Sequence, residues 1–384
     1  MKLLFLNHNV AWSGTFFRVF QLARTLVGRG HEVTVVTTSR TARFALRSEQ
    51  RDGVQLIEAP DLLFGRGRTG WDPWNTARRM LHLDASRFDL VHAFDSRPAV
   101  VLPALQLART GMPLYMDWAD WWGRGGTIRE RSGRVVNVLI EGVETWFEES
   151  FRRRALRTTV ISRALAERAI GLQVRSEHIL RFPNGCDVDH LTPMARGTAR
   201  AQLGLSRDAP ILLHIGLIYP ADMRLLLDAW GVVTQALPKA RLVLLGRPGT
   251  PVDSQLLAGG SVLAPGFVPF ETMQAWLGAA DACVIPMRDT VAHRGRWPGK
   301  FNDYLCAGRA TVLPAVGDAA EWVTSSGAGF PCAPDAASFA QAIIKALTDR
   351  KTCDEAGERA RALACGELAW PTIAAEVDTF YQQR

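Results

Sequence analysis

A lysine and an aspartate stand three residues apart in the segment RWPGKFNDYLCAGRATVLP at residues 296–314; they are Lys300 and Asp303. The chain has 45 basic residues and five lysines, so arginine supplies nearly all of the positive charge. An ammonium is a compact point charge that can contact one phosphate oxygen closely. On a helix, side chains three apart lie on one face, so Lys300 is interpreted as a phosphate contact with an acceptor carboxylate beside it or, alternatively, the two residues form a surface ion pair.

The loop RDTVAHRGRWPG at residues 288–299 precedes the lysine and is rich in groups that bind anions or sugars. It contains His293, Arg294, Arg296 and Trp297. Loops on a rigid scaffold commonly hold binding residues, so these side chains are candidates for phosphate or sugar contacts. A solvated connection is the alternative interpretation.

Two carboxylates and three tryptophans follow an apolar run in YMDWADWWGRGG at residues 115–126. Carboxylates accept hydrogen bonds from sugar hydroxyls, and indole faces stack on sugar rings. Asp117, Asp120, Trp118 and Trp121 are therefore candidates for a sugar site. Alternatively, Asp120 caps a helix and the tryptophans pack in the core.

Apolar runs and helical patterns alternate along the whole chain, which predicts parallel sheets covered by helices on both faces. The pattern restarts at residue 211 after a polar stretch, so we expect an α/β protein with two doubly wound, Rossmann-like domains and a ligand cleft between them. The expected domains span residues 1–190 and 191–365. Residues 366–384 are predicted to form a C-terminal helix that packs back toward the N-terminal domain.

The composition is that of an ordinary globular protein, with 47% hydrophobic and 22% charged residues among 384. The apolar runs are too short to span a bilayer, and the N-terminus MKLLFLNHNVAW is interpreted as a first strand, so a cytoplasmic location is expected. All six cysteines lie between residues 186 and 365, without metal-ligand spacing. A net charge of +7 suits nucleic acid, anionic lipid or phosphorylated ligands without choosing among them. The basic run FRRRALR at residues 151–157 could contact anionic lipid or be a solvated helix face.

Five segments in a fixed order resemble one known family, the GT-B nucleotide-sugar glycosyltransferases, and within it the retaining glycosyltransferase family 4. The segments are SGTFFRVFQLARTLVGRGHEVTVVT, PNGCDVDHLTP, HIGLIYPADMRLLLDAW, ARLVLLGRPG and GFVPFETMQAWLGAADACVIPM with PGKFNDYLCAGRATVLP. The resemblance covers nearly the whole chain. It implies two domains of the GT-B type that face a central cleft, with the acceptor in the N-terminal domain and the donor in the C-terminal domain.

The resemblance also implies which residues contact the donor, with Asp303 on the ribose hydroxyls and Lys300 near the pyrophosphate. The implied donor-binding residues are Gly14, Gly216, Arg247, Phe267, Val268, Arg294, Arg296, Lys300 and Asp303. A plain turn glycine is the alternative for Gly14. Three usual residues are missing, because Leu217 and Asp222 replace an arginine and a lysine, and Gly295 replaces a glutamate. Asp222 is expected to cap the helix that follows.

The resemblance also implies four residues that bind the acceptor, which are Trp12, His92, Trp118 and Trp121. The catalytic candidates are Asp117, Asp120 and Lys300. Many relatives have a histidine where this chain has Ala119, so Asp117 or Asp120 is the nearest substitute. For His92, a hydrogen-bonded core histidine is the alternative.

The expected function is transfer of a sugar from a nucleoside diphosphate sugar to an acceptor hydroxyl with retention of anomeric configuration. The acceptor would be a glycan, a lipid-linked glycan or a small molecule, and contact with the inner face of an anionic membrane is expected to accompany it. No metal, cofactor or nucleic-acid partner is expected. A GT-B sugar-nucleotide epimerase and a catalytically silent sugar-nucleotide-binding subunit are the alternatives.

Overall fold

A computed structural model describes residues 1–130, 134–246 and 257–383, with the backbone alone for residue 66 and residues 134–139. The chain forms two compact units. The first unit comprises Met1–Asn184, Gly295–Trp297 and Trp370–Arg384, and the second comprises Gly185–Arg294 and Pro298–Ala369. The division at Asn184 lies a few residues before the boundary that the sequence places near residue 190. The C-terminal segment belongs to the first unit.

The first unit is built on a sheet of eight strands in the order β3-β4-β2-β1-β5-β6-β7-β8. Its strands are β1 (Lys2–Val10), β2 (Glu32–Thr38), β3 (Arg47–Arg51), β4 (Val54–Ala59), β5 (Leu90–Phe94), β6 (Leu114–Trp118), β7 (Arg157–Val160) and β8 (Ile179–Arg181). The pairs are parallel, except that β3 runs antiparallel to β4 at one edge. The strand β3 was not among those that the sequence predicts.

Helices cover both faces of this sheet. Alternate residues of its buried strands therefore belong to two different cores. The helices are α1 (Phe16–Val27), α2 (Pro73–His82), α3 (Pro98–Ala108), α4 (Arg134–Ser150), α5 (Arg163–Gly171) and the C-terminal helix Trp370–Gln382. Leu3 and Phe5 of β1 face the core that contains α1 and the C-terminal helix, whereas Leu4 and Leu6 face the other core. Single turns of 3-10 helix occur at Gly65–Gly67, Ala85–Arg87, Thr127–Glu130, Arg152–Arg154 and Ser176–His178.

The second unit has a sheet of six strands in the order β11-β10-β9-β12-β13-β14, and all of its recorded pairs are parallel. Its strands are β9 (Ile211–Ile215), β10 (Arg241–Leu245), β11 (Val262–Gly266), β12 (Ala282–Val284), β13 (Thr311–Pro314) and β14 (Gly329–Cys332). Its helices are α6 (Arg196–Gln202), α7 (Pro220–Ala236), α8 (Phe270–Ala279), α9 (Val291–Arg294), α10 (Gly299–Cys306), α11 (Gly317–Ser326), α12 (Ala336–Thr348) and α13 (Arg350–Cys365). The C-terminal helix of the first unit is α14.

Apolar side chains from the strands and helices of the second unit form one core around Trp230, which is fully buried. The predicted α/β class with two doubly wound domains is therefore confirmed. No helix among the described residues is long and apolar enough to cross a membrane.

Candidate functional site

Lys300 lies in the first turn of α10, where two groups from the β9 strand and its following loop fix its ammonium. Lys300 Nζ donates to the Leu217 carbonyl at 2.9 Å and lies 3.0 Å from His214 Nε2. His214 Nδ1 lies 3.0 Å from the Val284 carbonyl and donates to it, so Nε2 is the unprotonated nitrogen that accepts from the ammonium. Burial holds the pKa of His214 well below its ordinary value, and the positive charge of Lys300 lowers it further, so the imidazole is neutral.

The loop after β9 approaches this ammonium through a glycine. Gly216 has a φ of +87°, and a Cβ built there would lie 3.9 Å from Lys300 Cε. Gly246, directly after β10, has a φ of +94°, and a Cβ there would lie 3.0 Å from the Cα of Gly216. Two neighbouring strands are thus each followed by a glycine, and the two glycine backbones approach each other closely beside the lysine.

One helical turn after Lys300, α10 presents Asp303 and Tyr304. Burial raises the pKa of Asp303 to about 7, and the Lys300 charge opposes that rise. No donor from the described residues hydrogen-bonds to the Asp303 carboxylate, which is half-buried. The buried Tyr304 hydroxyl accepts from the Ile215 amide at 3.0 Å and lies 3.4 Å from the Val284 carbonyl, which fixes α10 against β9 and β12.

These residues lie at the point where the strand order of the second sheet reverses. From β9 the chain proceeds to β10 and β11 on one side, and β12 then pairs on the other side of β9. In open α/β sheets a crevice forms at such a point, at the carboxyl ends of the strands. Gly216 follows β9 and Lys300 follows β12, so both lie on the elements that line this crevice.

The other donor candidates of the second half have different surroundings. Phe267, directly after β11, is 81% exposed, and Val268 is half-buried. The Arg294 guanidinium makes a bidentate ion pair with Asp289, with both distances 2.6 Å, so it already has a carboxylate partner. Arg296 is half-buried and belongs to the first unit, and Arg247 lies outside the described residues.

The expectation that Asp222 caps α7 is wrong. The helix begins at Pro220 with Tyr219 as its N-cap, and Asp222 lies buried in its first turn. Its carboxylate accepts from the Arg288 amide at 3.1 Å and lies 2.9 Å from His293 Nε2. His293 is fully buried and its Nδ1 lies 2.7 Å from the Thr290 hydroxyl, so it organises the loop rather than facing solvent.

In the first unit, Asp117 occupies a buried ion pair with a residue that the sequence interpretation missed. The Arg18 guanidinium, from α1, donates to both carboxylate oxygens at 3.1 Å. Burial would raise the pKa of Asp117, but the Arg18 charge and hydrogen bonds bring it below its ordinary value. The proposed catalytic role of Asp117 is therefore corrected to a structural one, because the carboxylate is inaccessible and fully paired.

His92 belongs to the same buried network, which corrects its assignment to the acceptor. The Tyr381 hydroxyl lies 2.5 Å from His92 Nδ1, and His92 Nε2 lies 3.0 Å from Thr159 Oγ1. Thr159 donates to Asp117 Oδ1 at 2.6 Å, so a consistent chain of donors runs from Tyr381 through His92 and Thr159 to the carboxylate. Burial lowers the pKa of His92 to about 3. The histidine joins α14 to the central strands.

Trp118 is likewise a core residue, not an acceptor contact. Its ring is fully buried, the Arg152 guanidinium lies 3.6 Å from the ring centroid, and its Nε1 donates to Glu148 at 3.1 Å. Glu148, on α4, also accepts from the amides of Trp122 and Gly123 at 2.8 and 2.9 Å. A buried carboxylate therefore fixes the loop that follows β6.

The remaining first-unit candidates lie at the carboxyl ends of strands and reach the surface. Asp120 and Trp121 are half-buried after β6, and the Arg168 guanidinium lies 4.3 Å from one Trp121 ring centroid. Trp12 is 37% exposed after β1, and its ring packs on Phe16 with centroids 4.9 Å apart.

Gly14 lies between β1 and α1, as expected, with a φ of +56°. A Cβ there would lie 2.9 Å from the Asn9 side chain, whose oxygen accepts from the Thr15 amide. The glycine is therefore required by the turn itself.

Sequence interpretation also missed a buried pair at the reversal point of the first sheet, between β1 and β5. His8 Nδ1 lies 3.4 Å from Asp95 Oδ2, which accepts from Trp122 Nε1 at 3.1 Å. Burial lowers the pKa of His8 to about 4, although Asp95 opposes this. Asp95 has a φ of +78°, a costly conformation for a residue other than glycine, and such strain is concentrated at functional sites. In the sequence, the signal that could have identified this pair was Asp95, an aspartate directly after a buried strand.

Among the described residues, no group of three or more His, Cys, Asp or Glu side chains is arranged to hold a metal ion. Comparison with known families matches residues 13–185 to the glycosyl transferase 4-like domain. Residues 209–349 match the glycosyl transferases group 1. A sequence search of curated proteins finds no match.

Solved structures of glycosyltransferases share the fold over the whole chain. Sucrose-phosphate synthase from Thermosynechococcus elongatus is 17% identical with a TM-score of 0.75, covering 100% of this chain and 98% of that one. HepE of Anabaena, solved with UDP and glucose, is 16% identical with a TM-score of 0.72 and full coverage of both chains. WaaG, a glycosyltransferase involved in lipopolysaccharide biosynthesis, is 17% identical with a TM-score of 0.70 and 99% coverage of both. Since two domain models span most of the chain and the fold agrees with them, the chain belongs to the GT-B glycosyltransferases, with a 4-like domain followed by a group 1 domain.

Proposed function

We propose that the protein transfers a sugar from a nucleoside diphosphate sugar to an acceptor hydroxyl with retention of anomeric configuration. The second unit would bind the donor and the first unit the acceptor. One observation carries the donor assignment: an ammonium anchored by His214 and the Leu217 carbonyl at the strand-reversal point, beside Gly216 and one helical turn before the Asp303 carboxylate.

In this proposal Lys300 contacts the diphosphate and stabilises its charge as the sugar departs. The helices α7 and α10 begin in the loops that follow the carboxyl ends of β9 and β12, and helix N-termini favour an anion. Asp303 accepts hydrogen bonds from the ribose hydroxyls. Leu217, at the position where the resemblance expects arginine, accepts a hydrogen bond from Lys300 through its carbonyl and so helps to fix the ammonium.

On the acceptor side, Asp120 is the remaining carboxylate candidate, and the exposed Trp12 and the half-buried Trp121 are the aromatic candidates for stacking on a sugar. Asp117, His92 and Trp118 are excluded from direct contact by their burial. A glycan, a lipid-linked glycan or a small molecule would each offer the required hydroxyl.

Thermal-shift measurements with UDP, GDP, ADP and UDP-glucose test the proposal, because a ligand that binds only the folded state raises the melting temperature. The donor identified in this way is then incubated with and without glycan acceptors and analysed by mass spectrometry. NMR coupling at the new anomeric centre reports retention. Conversion of the donor alone to an isomer would indicate an epimerase, and binding without transfer or hydrolysis would indicate a silent subunit.

Donor affinity should rise as the pH increases from 6 to 8, by up to about tenfold, because a carboxyl with a pKa of about 7 ionises over this range. The contribution of Asp303 to the free energy of unfolding should change in the opposite direction and fall as the pH rises. Its raised pKa favours the protonated folded state, so that contribution is present in acid and lost as the pH rises through about 7. Calorimetric titration with UDP measures the affinity.

UDP itself gains negative charge near pH 6, so the matched control is Asp303→Asn titrated at the same pH values. The native chain should show a steeper increase in affinity than this variant. If the affinity for UDP depended on pH in the same way in both proteins, Asp303 would not be a nucleotide-binding residue.

A further inference from the structure

Two segments of the first unit expose large apolar side chains: residues 39–47, a loop that ends on the first residue of β3, and the loop at residues 60–68. We call them the loop surface. Phe44 and Phe64 are 70% and 72% exposed, and Leu62 and Leu63 are 39% and 38% exposed. Residues 62–64 therefore form three consecutive exposed apolar side chains. Soluble proteins rarely expose such a run unless it contacts a partner.

The loop surface is held in place from beneath by one buried arginine. Arg68 is 6% exposed and donates to the carbonyls of Leu63 at 2.7 Å, Asp61 at 2.9 Å and Ser39 at 2.5 Å. The Asp61 amide donates to the Ala42 carbonyl at 3.1 Å, which joins the two loops directly. The exposed side chains thus project from a fixed backbone, which lowers the entropic cost of binding.

Basic residues outnumber acidic ones on the loop surface. The segment SRTARFALR at residues 39–47 has three arginines and no acidic residue, and PDLLFGRGR at residues 60–68 has two arginines and one aspartate. That aspartate, Asp61, is buried and accepts from the Leu63 amide at 2.8 Å. The Arg43 guanidinium lies 3.8 Å from the centroid of the Phe64 ring. Cationic and apolar groups are therefore interleaved on one exposed surface.

We propose that the loop surface docks on the anionic headgroups of a phospholipid bilayer, with Phe44 and Phe64 entering the interface. Arginines beside exposed aromatic and leucine side chains match this environment, where phosphates lie directly above the acyl chains. Anionic leaflets attract such basic segments.

The loops follow β2 and β4 at the carboxyl edge of the sheet, beside β1, whose end is followed by Trp12 and Gly14. Membrane docking there would bring a lipid-linked acceptor toward the same edge as the acceptor candidates. This last step rests on the proposed function, whereas the docking itself does not.

The structure does not support the basic run at residues 151–157 as the docking site. Arg152 is fully buried, donating to Ser96 at 2.9 Å and stacking on Trp118, and Arg157 donates to the Gln383 carbonyl. Arg153 and Arg154 remain exposed in this run, where Leu156 is 41% exposed and Trp146, whose ring packs on Phe151, is 54% exposed. The loop surface is the stronger candidate because Phe44 and Phe64 are more exposed, at 70% and 72%, and the arginines of residues 39–47 are not buried.

The test is co-sedimentation of the full chain with phosphatidylcholine vesicles prepared with and without phosphatidylglycerol. The native protein should sediment with the anionic vesicles and be released by salt. Phe44→Ser/Phe64→Ser should reduce the bound fraction at least about tenfold, and Arg40→Gln/Arg47→Gln should reduce it and weaken its salt dependence. The matched control is Leu81→Ser on α2, because Leu81 is 80% exposed outside the loop surface.

Failure of the native protein to bind anionic vesicles would overturn the proposal, as would equal binding by the phenylalanine variant or equal binding to neutral vesicles. A native dimer that becomes monomeric in that variant, without vesicle binding, would instead assign the surface to a second copy of the chain. The thermal shift with UDP should be the same in all variants. Docking can therefore fail while nucleotide binding persists, which separates this proposal from the proposed function.

Discussion

Replacing Lys300 by alanine should lower the rate of sugar transfer at least about tenfold while the melting temperature changes little. The structure fixes this ammonium at the strand-reversal point, and the charge on a departing diphosphate increases as the glycosidic bond breaks. Removing a fixed cation from such a site costs transition-state stabilisation. The side chain is half-buried and is not part of the apolar core around Trp230, so the fold should persist. Steady-state transfer kinetics and thermal melts measure the two effects.

Lys345→Ala on α12 is the matched control, since it removes one exposed lysine from the same unit. It should leave transfer unchanged. His214→Phe keeps the ammonium but removes its Nε2 partner, so its transfer rate should fall between those of the native protein and Lys300→Ala. Native turnover in Lys300→Ala would refute the assignment. A loss in Lys300→Ala that Lys345→Ala reproduces would indicate an effect of net charge alone.

Sequence periodicity predicted most of the fold, because buried parallel strands are continuous apolar runs and the covering helices are amphipathic. The edge strand β3 was missed since all five of its residues are exposed and polar. A turn signal was nevertheless present. Asp52 and Gly53 both have positive φ, at 48° and 78°, and join β3 to β4 as a two-residue hairpin turn.

The second-unit site was predicted in part from residue types. Lys300 and Asp303 are close in sequence, so helical spacing alone places them together. The role of His214 could not be predicted, because it depends on which ring nitrogen faces a lysine 86 residues away.

Residue type was misleading in the first unit. Carboxylates and tryptophans suit a sugar site and also suit a buried polar network, and the deciding partner, Arg18, is 99 residues from Asp117. Sequence reasoning therefore located the loops that end the strands but could not tell which of their side chains point inward.

Asp117→Asn should lower the free energy of unfolding by about 3 kcal/mol, because it leaves the Arg18 guanidinium buried without its countercharge. The same carboxylate also accepts from Thr159, so its loss would disturb the chain of hydrogen bonds that reaches α14. Since its pKa is held below the ordinary value, the contribution of this pair is present at neutral pH and is lost as the pH falls through that lowered pKa. Urea unfolding at neutral pH measures the difference.

Two further variants separate a structural role of Asp117 from a catalytic one. Arg18→Met/Asp117→Leu removes both charges and should recover much of the lost stability, because buried ion pairs can often be replaced by apolar residues. Glu177→Gln breaks an exposed pair with Arg175 and should leave the free energy of unfolding nearly unchanged. If Asp117→Asn instead retained native stability and abolished transfer, the carboxylate would have to reach the substrate. The structural role of Asp117 would then be wrong, because an unchanged free energy of unfolding would show that its network does not hold α1, β6 and α14 together.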